Sequence, residues 1–143
     1  MNGSTKELTA MSITLSDQDM LTLRTAGWGA VSLMSAAAVA DSAHKAATHG
    51  SIALTSATGL VGRVLTKAPK GVKWGKSTAD LADLVLPALT ASMNLLSRQF
   101  PAEADNFRRT ITVAIEASAR IHQGPPSPTM AEMMRKITAA LDA

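Results

Sequence analysis

"AGWGAVSLMSAAAVA", residues 26–40, is the most apolar stretch of this 143-residue chain. It is shorter than the roughly 20 residues that a membrane-spanning helix needs, and two serines and two glycines dilute it further. We therefore interpret it as a buried helix and expect no transmembrane segment. Trp28, between Gly27 and Gly29, indicates either a tight helix crossing or a dimer interface.

The composition favours a helical core. Hydrophobic residues make up 46% of the chain, but aromatic residues make up only 3% and tyrosine is absent. The core must then be built from Ala, Leu, Ile, Val and Met, which suit packed helices better than a sheet because strands favour β-branched and aromatic residues. Cysteine is absent, so disulfides, thiol catalysis and thiolate metal sites are excluded. With no sign of an oxidising compartment, we expect a cytoplasmic protein.

Capping residues and apolar spacing predict two helices in the first half of the chain. Ser16 is a suitable N-cap with Asp19 three residues later, so the first helix begins there. It runs to about residue 40 and is expected to bend or stop by Gly50, because glycine commonly ends helices. Whether residues 41–50 are helix or loop stays open. A second helix follows over residues 57–65.

Three further helices are predicted in the second half of the chain. The third begins at Ser77 and has the clearest amphipathic spacing. Pro87 interrupts it and cannot donate the internal hydrogen bond, so we expect a kink. The fourth helix begins at Pro101, and the last begins at a Thr129–Glu132 capping box.

These patterns predict an all-α, single-domain bundle of about five helices over residues 15–143, the third helix being kinked by proline. No alternation of apolar and polar residues typical of a strand occurs, and no internal repeat is found. Residues 1–14 have neither the basic end nor the apolar run of a secretory signal. We expect them to form a disordered N-terminal extension.

Positive charge is concentrated in the middle of the chain. Residues 42–79 contain six basic and no acidic residues, whereas the rest contains eight basic and eleven acidic residues. A basic segment with Trp74 near its centre could attract nucleic acid, an anionic membrane or an acidic protein partner. Alternatively, the lysines only keep an exposed loop soluble while Trp74 folds back over the bundle. The predicted anion- or partner-binding residues are Arg63, Lys67, Lys70, Lys73, Trp74, Lys76 and Ser77.

The stretch "GVKWGKS", residues 71–77, resembles a phosphate-binding loop but lacks its spacing. Only three residues separate the first glycine from the Gly-Lys pair, whereas the motif needs four and a preceding strand. A nucleotide hydrolase is therefore excluded. The helix end at Ser77, flanked by Lys73 and Lys76, could still seat an anion. Ser77 and Asp80 are equally placed to cap that helix end themselves.

No catalytic residue, metal ligand or cofactor is predicted. His44 and His49 are five residues apart, about 140° around the axis of a continuous helix, so they do not share a face as a metal-binding pair would, although a helix break between them could bring them together. His122 lies near a helix C-terminus, where the dipole favours a cationic imidazole. Ser and Thr remain as nucleophiles without an evident base. An enzyme is thus less favoured than a binding protein.

The methionines leave a second function open. They either fill gaps in an aromatic-poor core or line an apolar pocket between the Pro87 kink and the last helix. The pocket residues would be Met93, Met130, Met133 and Met134. A high apolar fraction in a small polarised chain also favours a homodimer.

Two stretches, "GSIALTSATGLVGRVL" (residues 50–65) and "PAEADNFRRTITVAIEA" (residues 101–117), resemble small Ala-rich helical proteins of unassigned function from actinobacteria. The similarity covers most of the chain from Leu15 onward. It implies no activity, so no site residue rests on it.

The leading hypothesis is a non-enzymatic helical interaction module that uses its basic, Trp-containing loop to bind an acidic partner or nucleic acid. The alternative is a small-molecule-binding bundle, such as an enzyme or a resistance protein, with the Met-lined pocket as its site.

Overall fold

The structure is a computed structural model that describes residues 15–38, 42–120 and 125–143. These residues form six helices and no strand, so the predicted all-α class is confirmed, with one helix more than expected. The predicted extension over residues 1–14 lies outside the described residues. The helices are α1 (Asp17–Ala37), α2 (Ala43–Thr55), α3 (Gly59–Leu65), α4 (Thr78–Gln99), α5 (Pro101–Ala119) and α6 (Pro128–Asp142).

The first helix, α1, is the centre of the bundle and packs against each of the other five described helices. Its apolar stretch can do so because small and large apolar residues surround the helix instead of forming one stripe. The predicted buried helix is therefore confirmed over the described part of the stretch. Its buried apolar residues include Leu23, Ala26, Ala30, Val31, Leu33 and Met34.

The predicted N-cap begins α1. The amide N of Asp19 donates to Ser16 Oγ at 3.0 Å, and the amide N of Ser16 donates to Asp19 Oδ2 at 3.2 Å. This reciprocal capping box satisfies amide donors that the first turn of a helix otherwise leaves free.

The helix α2 includes most of residues 41–50, for which the sequence did not decide between helix and loop. It continues past Gly50 to Thr55. Its buried residues Ala46, Gly50 and Leu54 lie four apart along one face. Ala46 and Gly50 carry almost no apolar surface, so the sequence shows only a weak hydrophobic periodicity over this helix. A Cβ at Gly50 would collide with Ser118 Oγ and lie 2.9 Å from Val31 Cγ1. The predicted helix end at Gly50 is thus wrong, because this glycine is a close contact with α1 and α5.

The N-terminus of the short helix α3 is capped by side chains from α5. The amide N of Val61 donates to Glu103 Oε1 at 2.9 Å. Asn106 Nδ2 donates to the Thr58 carbonyl at 2.8 Å and to Glu103 Oε1 at 3.3 Å. Thr58, the residue at the N-cap position, provides no side-chain cap of its own. The start of α3 is therefore stabilised by α5 rather than by its own sequence.

The C-terminus of α3 is capped by side chains from α1. Arg24 Nε donates to the Val64 carbonyl at 2.9 Å, and Trp28 Nε1 donates to the Leu65 carbonyl at 3.1 Å. The last turn of a helix leaves its carbonyls without intrahelical partners, so both acceptors need a donor from elsewhere. The guanidinium is also favoured there by the negative end of the helix dipole.

Glu103→Ala is expected to lower the free energy of unfolding by about 1–2 kcal/mol, because the amide N of Val61 loses its acceptor. Urea denaturation measures the change. Glu116→Ala is the matched control, since Glu116 forms an exposed ion pair with Arg120 whose loss costs about 0.5 kcal/mol or less. Equal losses in the two variants would contradict the capping role of Glu103.

The fourth helix, α4, begins after Ser77 and continues through Pro87 to Gln99. The proline therefore does not end the helix, and the expected kink stays a prediction. By length and composition, α4 is the one helix in the described ranges that could cross a membrane. Its Val85 and Leu89 side chains are fully buried in the bundle, as those of a core helix are.

The last helix, α6, begins two residues earlier than predicted. The amide N of Met130 donates to Ser127 Oγ at 3.3 Å, so Ser127 and not Thr129 is the N-cap. Pro128 takes the first helical position, where proline is preferred because its missing N–H costs no hydrogen bond. Glu132 forms an ion pair with Arg135 instead of completing a capping box.

Candidate functional site

The predicted contact residues lie on α3 and on the loop over residues 66–77, which has no regular secondary structure. Trp74 is half-buried and packs against the apolar core, so it folds back onto the bundle. The cations instead face solvent. The exposed cationic residues are Arg63, Lys67, Lys70, Lys73 and Lys76.

Three clefts surround this segment and the first turns of α1. The α1–α3 cleft, of about 330 Å³, contains Arg24, Arg63 and Lys67. The loop cleft, of about 720 Å³, contains Arg24, Lys67 and Lys70. The α1–α4 groove, of about 470 Å³, contains Lys73. Lys67, Lys70 and Lys73 of the loop therefore line clefts.

The three clefts are contiguous because they share lining residues. Arg24 and Lys67 line both the α1–α3 cleft and the loop cleft, and Leu21 lines both the loop cleft and the α1–α4 groove. Asp17 is the carboxylate found among the lining residues of the loop cleft. We call the five basic residues that line these clefts the cationic cluster: Arg24, Arg63, Lys67, Lys70 and Lys73.

Arg24 was missed by the sequence analysis because it lies in α1, outside the acid-free segment. It is the only basic residue of α1, which is a weak signal that could have drawn attention to it. Its Nε bond to the Val64 carbonyl holds the guanidinium at the edge of two clefts. A guanidinium fixed through Nε keeps its terminal N–H groups for a planar anion.

Within the part of the chain that the structure describes, no member of the cationic cluster forms an ion pair. Carboxylates pair instead with arginines on α5 and α6 and at the end of α5. At one of these pairs, the hydrogen bond from Arg135 lowers the pKa of the Glu132 carboxyl. The pairs are Arg108–Asp142, Arg120–Glu116 and Arg135–Glu132.

Lys76 and Ser77 line none of these three clefts. The amide N of Asp80 donates to Ser77 Oγ at 3.0 Å, and the amide N of Lys76 donates to Asp80 Oδ2 at 3.1 Å. Gly75, with φ of 81°, approaches Asp80 so closely that a Cβ would collide with it. Ser77 and Asp80 therefore accept hydrogen bonds from backbone amides at this helix end themselves, as the capping alternative predicts.

Neither histidines nor carboxylates gather into a metal site in the described ranges, where no group of three such residues is found. His44 and His49 are exposed on the uninterrupted helix α2. His122 lies outside the described residues. Ser92 Oγ is buried without a hydrogen-bond partner among the described groups, but Ser92 lines none of the three clefts.

The methionines predicted to line a pocket belong to the core. Met93, Met130 and Met133 are buried, and Met134 is partly buried and packs against the same core. None of the four lines the three clefts around the cationic cluster. Pro87, the other side of the predicted pocket, faces the α1–α4 groove instead.

The fold is an all-α bundle, and we call the surface formed by the three clefts and the cationic cluster its cationic end. Comparison of the chain with protein-family models, with curated proteins and with solved structures found no match. The resemblance to Ala-rich actinobacterial proteins therefore stays a prediction.

Proposed function

We propose that this protein is a non-enzymatic helical interaction module that binds an acidic protein segment at its cationic end. The observation that carries the proposal is the cationic cluster, whose members line contiguous clefts and form no ion pair with the described carboxylates. Clefts lined by one sign of charge focus the field because their walls have a low dielectric constant. Such clefts attract an anionic partner and orient it.

The surroundings of the cluster favour a protein segment over nucleic acid. Single-stranded nucleic acids bind where bases stack on aromatic rings beside a cationic groove. Trp74 packs against the core and Trp28 donates to the Leu65 carbonyl, so both tryptophans are engaged within the bundle. The α1–α3 cleft places apolar Leu60 and Met20 beside its cations, which suits the mixed side chains of a peptide.

Lys67→Glu is expected to weaken binding of a labelled polyglutamate peptide about tenfold at low salt, because Lys67 lines two of the clefts. Fluorescence anisotropy at low and at physiological salt measures the affinity and its salt dependence. Lys45→Glu is the matched control, since Lys45 is an exposed cation of α2 and lies outside the three clefts. We expect it to change the affinity less than about twofold.

Three results would count against the proposal. Absence of polyglutamate binding at low salt would contradict binding of an acidic protein segment. An equal loss in the Lys45 and Lys67 variants would mean that net charge alone, and not the clefts, attracts the peptide. Tighter binding of mixed-sequence single-stranded DNA or RNA than of polyglutamate, lost in the Lys67 variant, would favour the nucleic-acid alternative.

A cytoplasmic location and a homodimer stay predictions from composition. Native mass spectrometry of the purified protein tests the second directly, because it reports the oligomeric state together with any bound small molecule.

A further inference from the structure

We propose that the α1–α4 groove receives the apolar face of an amphipathic helix whose flanking residues are acidic. This inference rests on the proposed function and adds that the acidic segment binds as an amphipathic helix. The groove is the part of the cationic end with the largest apolar share. Its lining includes Leu21, Thr25, Val72, Lys73, Leu84 and Ala91.

The first observation is that one side of α4 lines the groove instead of the core. Leu81 and Leu86 are partly buried and pack against the core, whereas Leu84 contributes to the wall of the groove. Pro87 and Ala91 are exposed in the same groove. Leu84, Pro87 and Ala91 of α4 therefore line the groove.

The second observation is that other elements bring apolar side chains to the same groove. Leu21 of α1 and Val72 of the loop are half-buried and line the groove together with Leu84. The groove runs between two neighbouring helices, which is the surface on which a further helix packs by fitting its side-chain ridges. Its volume of about 470 Å³ is sufficient for large apolar anchors, which a helix presents at three- and four-residue spacing.

The charge around the groove determines the charge of the partner. Lys73 lies in the groove itself, and Arg24, Lys67 and Lys70 lie in the loop cleft that adjoins it at Leu21. If a helix bound in the groove, the residues that flank its apolar face would lie close to these cations. Acidic flanking residues would be attracted to them and basic ones repelled, which fixes both the choice and the direction of the helix.

A second copy of the chain and a membrane fit the groove less well. Two copies that paired symmetrically through this surface would bring Lys73 and the rest of the cationic cluster face to face, because a two-fold interface uses the same patch on both partners. A bilayer surface is flat, whereas Leu21, Val72 and Leu84 line a concave groove. An acidic amphipathic helix of another protein meets both the shape and the charge.

The test is a selection from a random peptide library displayed on phage, with the full-length chain as target. We expect enriched peptides to carry large apolar residues at helical spacing and Asp or Glu between them. Val72→Asn and Lys73→Glu should each weaken binding of an enriched synthetic peptide about tenfold. Val113→Asn and Lys45→Glu are the matched controls on α5 and α2, and should change it less than about twofold.

The outcomes separate this inference from the proposed function. Enriched peptides that are acidic without helical spacing, and that respond to Lys73→Glu but not to Val72→Asn, would overturn the helical partner and leave the acidic interaction module intact. Enriched peptides without acidic residues, or no enrichment, would overturn both. Self-association weakened by Val72→Asn, or tighter binding to anionic vesicles than to the peptide, would assign the groove to a second copy or to a membrane instead.

Discussion

Replacing Trp28 by Ala is expected to lower the free energy of unfolding by about 3 kcal/mol. The indole ring is partly buried against the core, and its Nε1 donates to the Leu65 carbonyl at 3.1 Å. The substitution therefore removes packed apolar area and also leaves a carbonyl at the C-terminus of α3 without its donor. Urea denaturation followed by circular dichroism measures the loss.

Trp28→Phe separates the two contributions. It keeps an aromatic ring but has no N–H, so we expect a loss of about 1 kcal/mol from the missing hydrogen bond. Ile52→Ala is the surface control, because Ile52 is 62% exposed and its truncation should cost about 0.5 kcal/mol or less. A Phe variant as stable as the wild type would show that the bond to Leu65 contributes nothing. If the Ala variant were as stable as the Phe variant, packing of the aromatic ring would contribute nothing to the free energy of unfolding.

Gly29→Ala is expected to cost about 2 kcal/mol although it adds a single methyl group. A Cβ at Gly29 would collide with Val85 Cγ2 and lie 3.0 Å from Val85 Cγ1 and 3.2 Å from its Cβ. Val85 is fully buried in α4 and β-branched, so its methyl groups cannot rotate away freely. Alanine gains about 1 kcal/mol of helix propensity over glycine, but overpacking of this crossing costs about 3 kcal/mol.

The double variant Gly29→Ala/Val85→Ala provides the control for that prediction. Val85→Ala alone leaves a cavity and should cost about 2 kcal/mol. In the double variant the new methyl at position 29 occupies part of that space. The loss should therefore stay near that of either single variant, which gives a coupling energy of about 2 kcal/mol. Strictly additive losses from chemical denaturation would contradict a direct contact between the two positions.

Local signals in the sequence predicted the helices well where they depended on capping residues. Ser16 and Ser77 are N-caps as expected, and Pro101 begins α5. The last helix begins at Ser127 instead of Thr129, and the local signal for Ser127 is that Pro128 follows it and suits the first helical position.

The helix α2 could not be predicted because it is stabilised by contacts with residues that are distant in the sequence. Ala46 and Gly50 give almost no hydrophobic signal, yet their small size lets α2 approach α1 and α5. The Ser118 hydroxyl donates to the Ala46 carbonyl at 2.9 Å, a contact between residues that are 72 positions apart. Only the tertiary arrangement shows that these small residues form an interface.

The candidate site was predicted in part for a similar reason. The acid-free segment identified Arg63, Lys67, Lys70 and Lys73, because a run of like charge is visible in the sequence. Arg24 joins them only through the fold, which packs α1 beside α3. Trp74 packs against the core and Ser77 caps α4, and their contact with a partner stays a prediction.

Both ends of α3 are capped by side chains of other helices, and this affects the order in which the helices fold. A helix of seven residues is far below the length of about 12 at which helices persist in water on their own, and its terminal groups are satisfied by Glu103 from one side and by Arg24 and Trp28 from the other. It can therefore become ordered only after α1 and α5 have come together. We therefore expect the clefts of the cationic cluster to be completed late, so that the proposed partner would discriminate mature protein from a nascent or partly denatured chain.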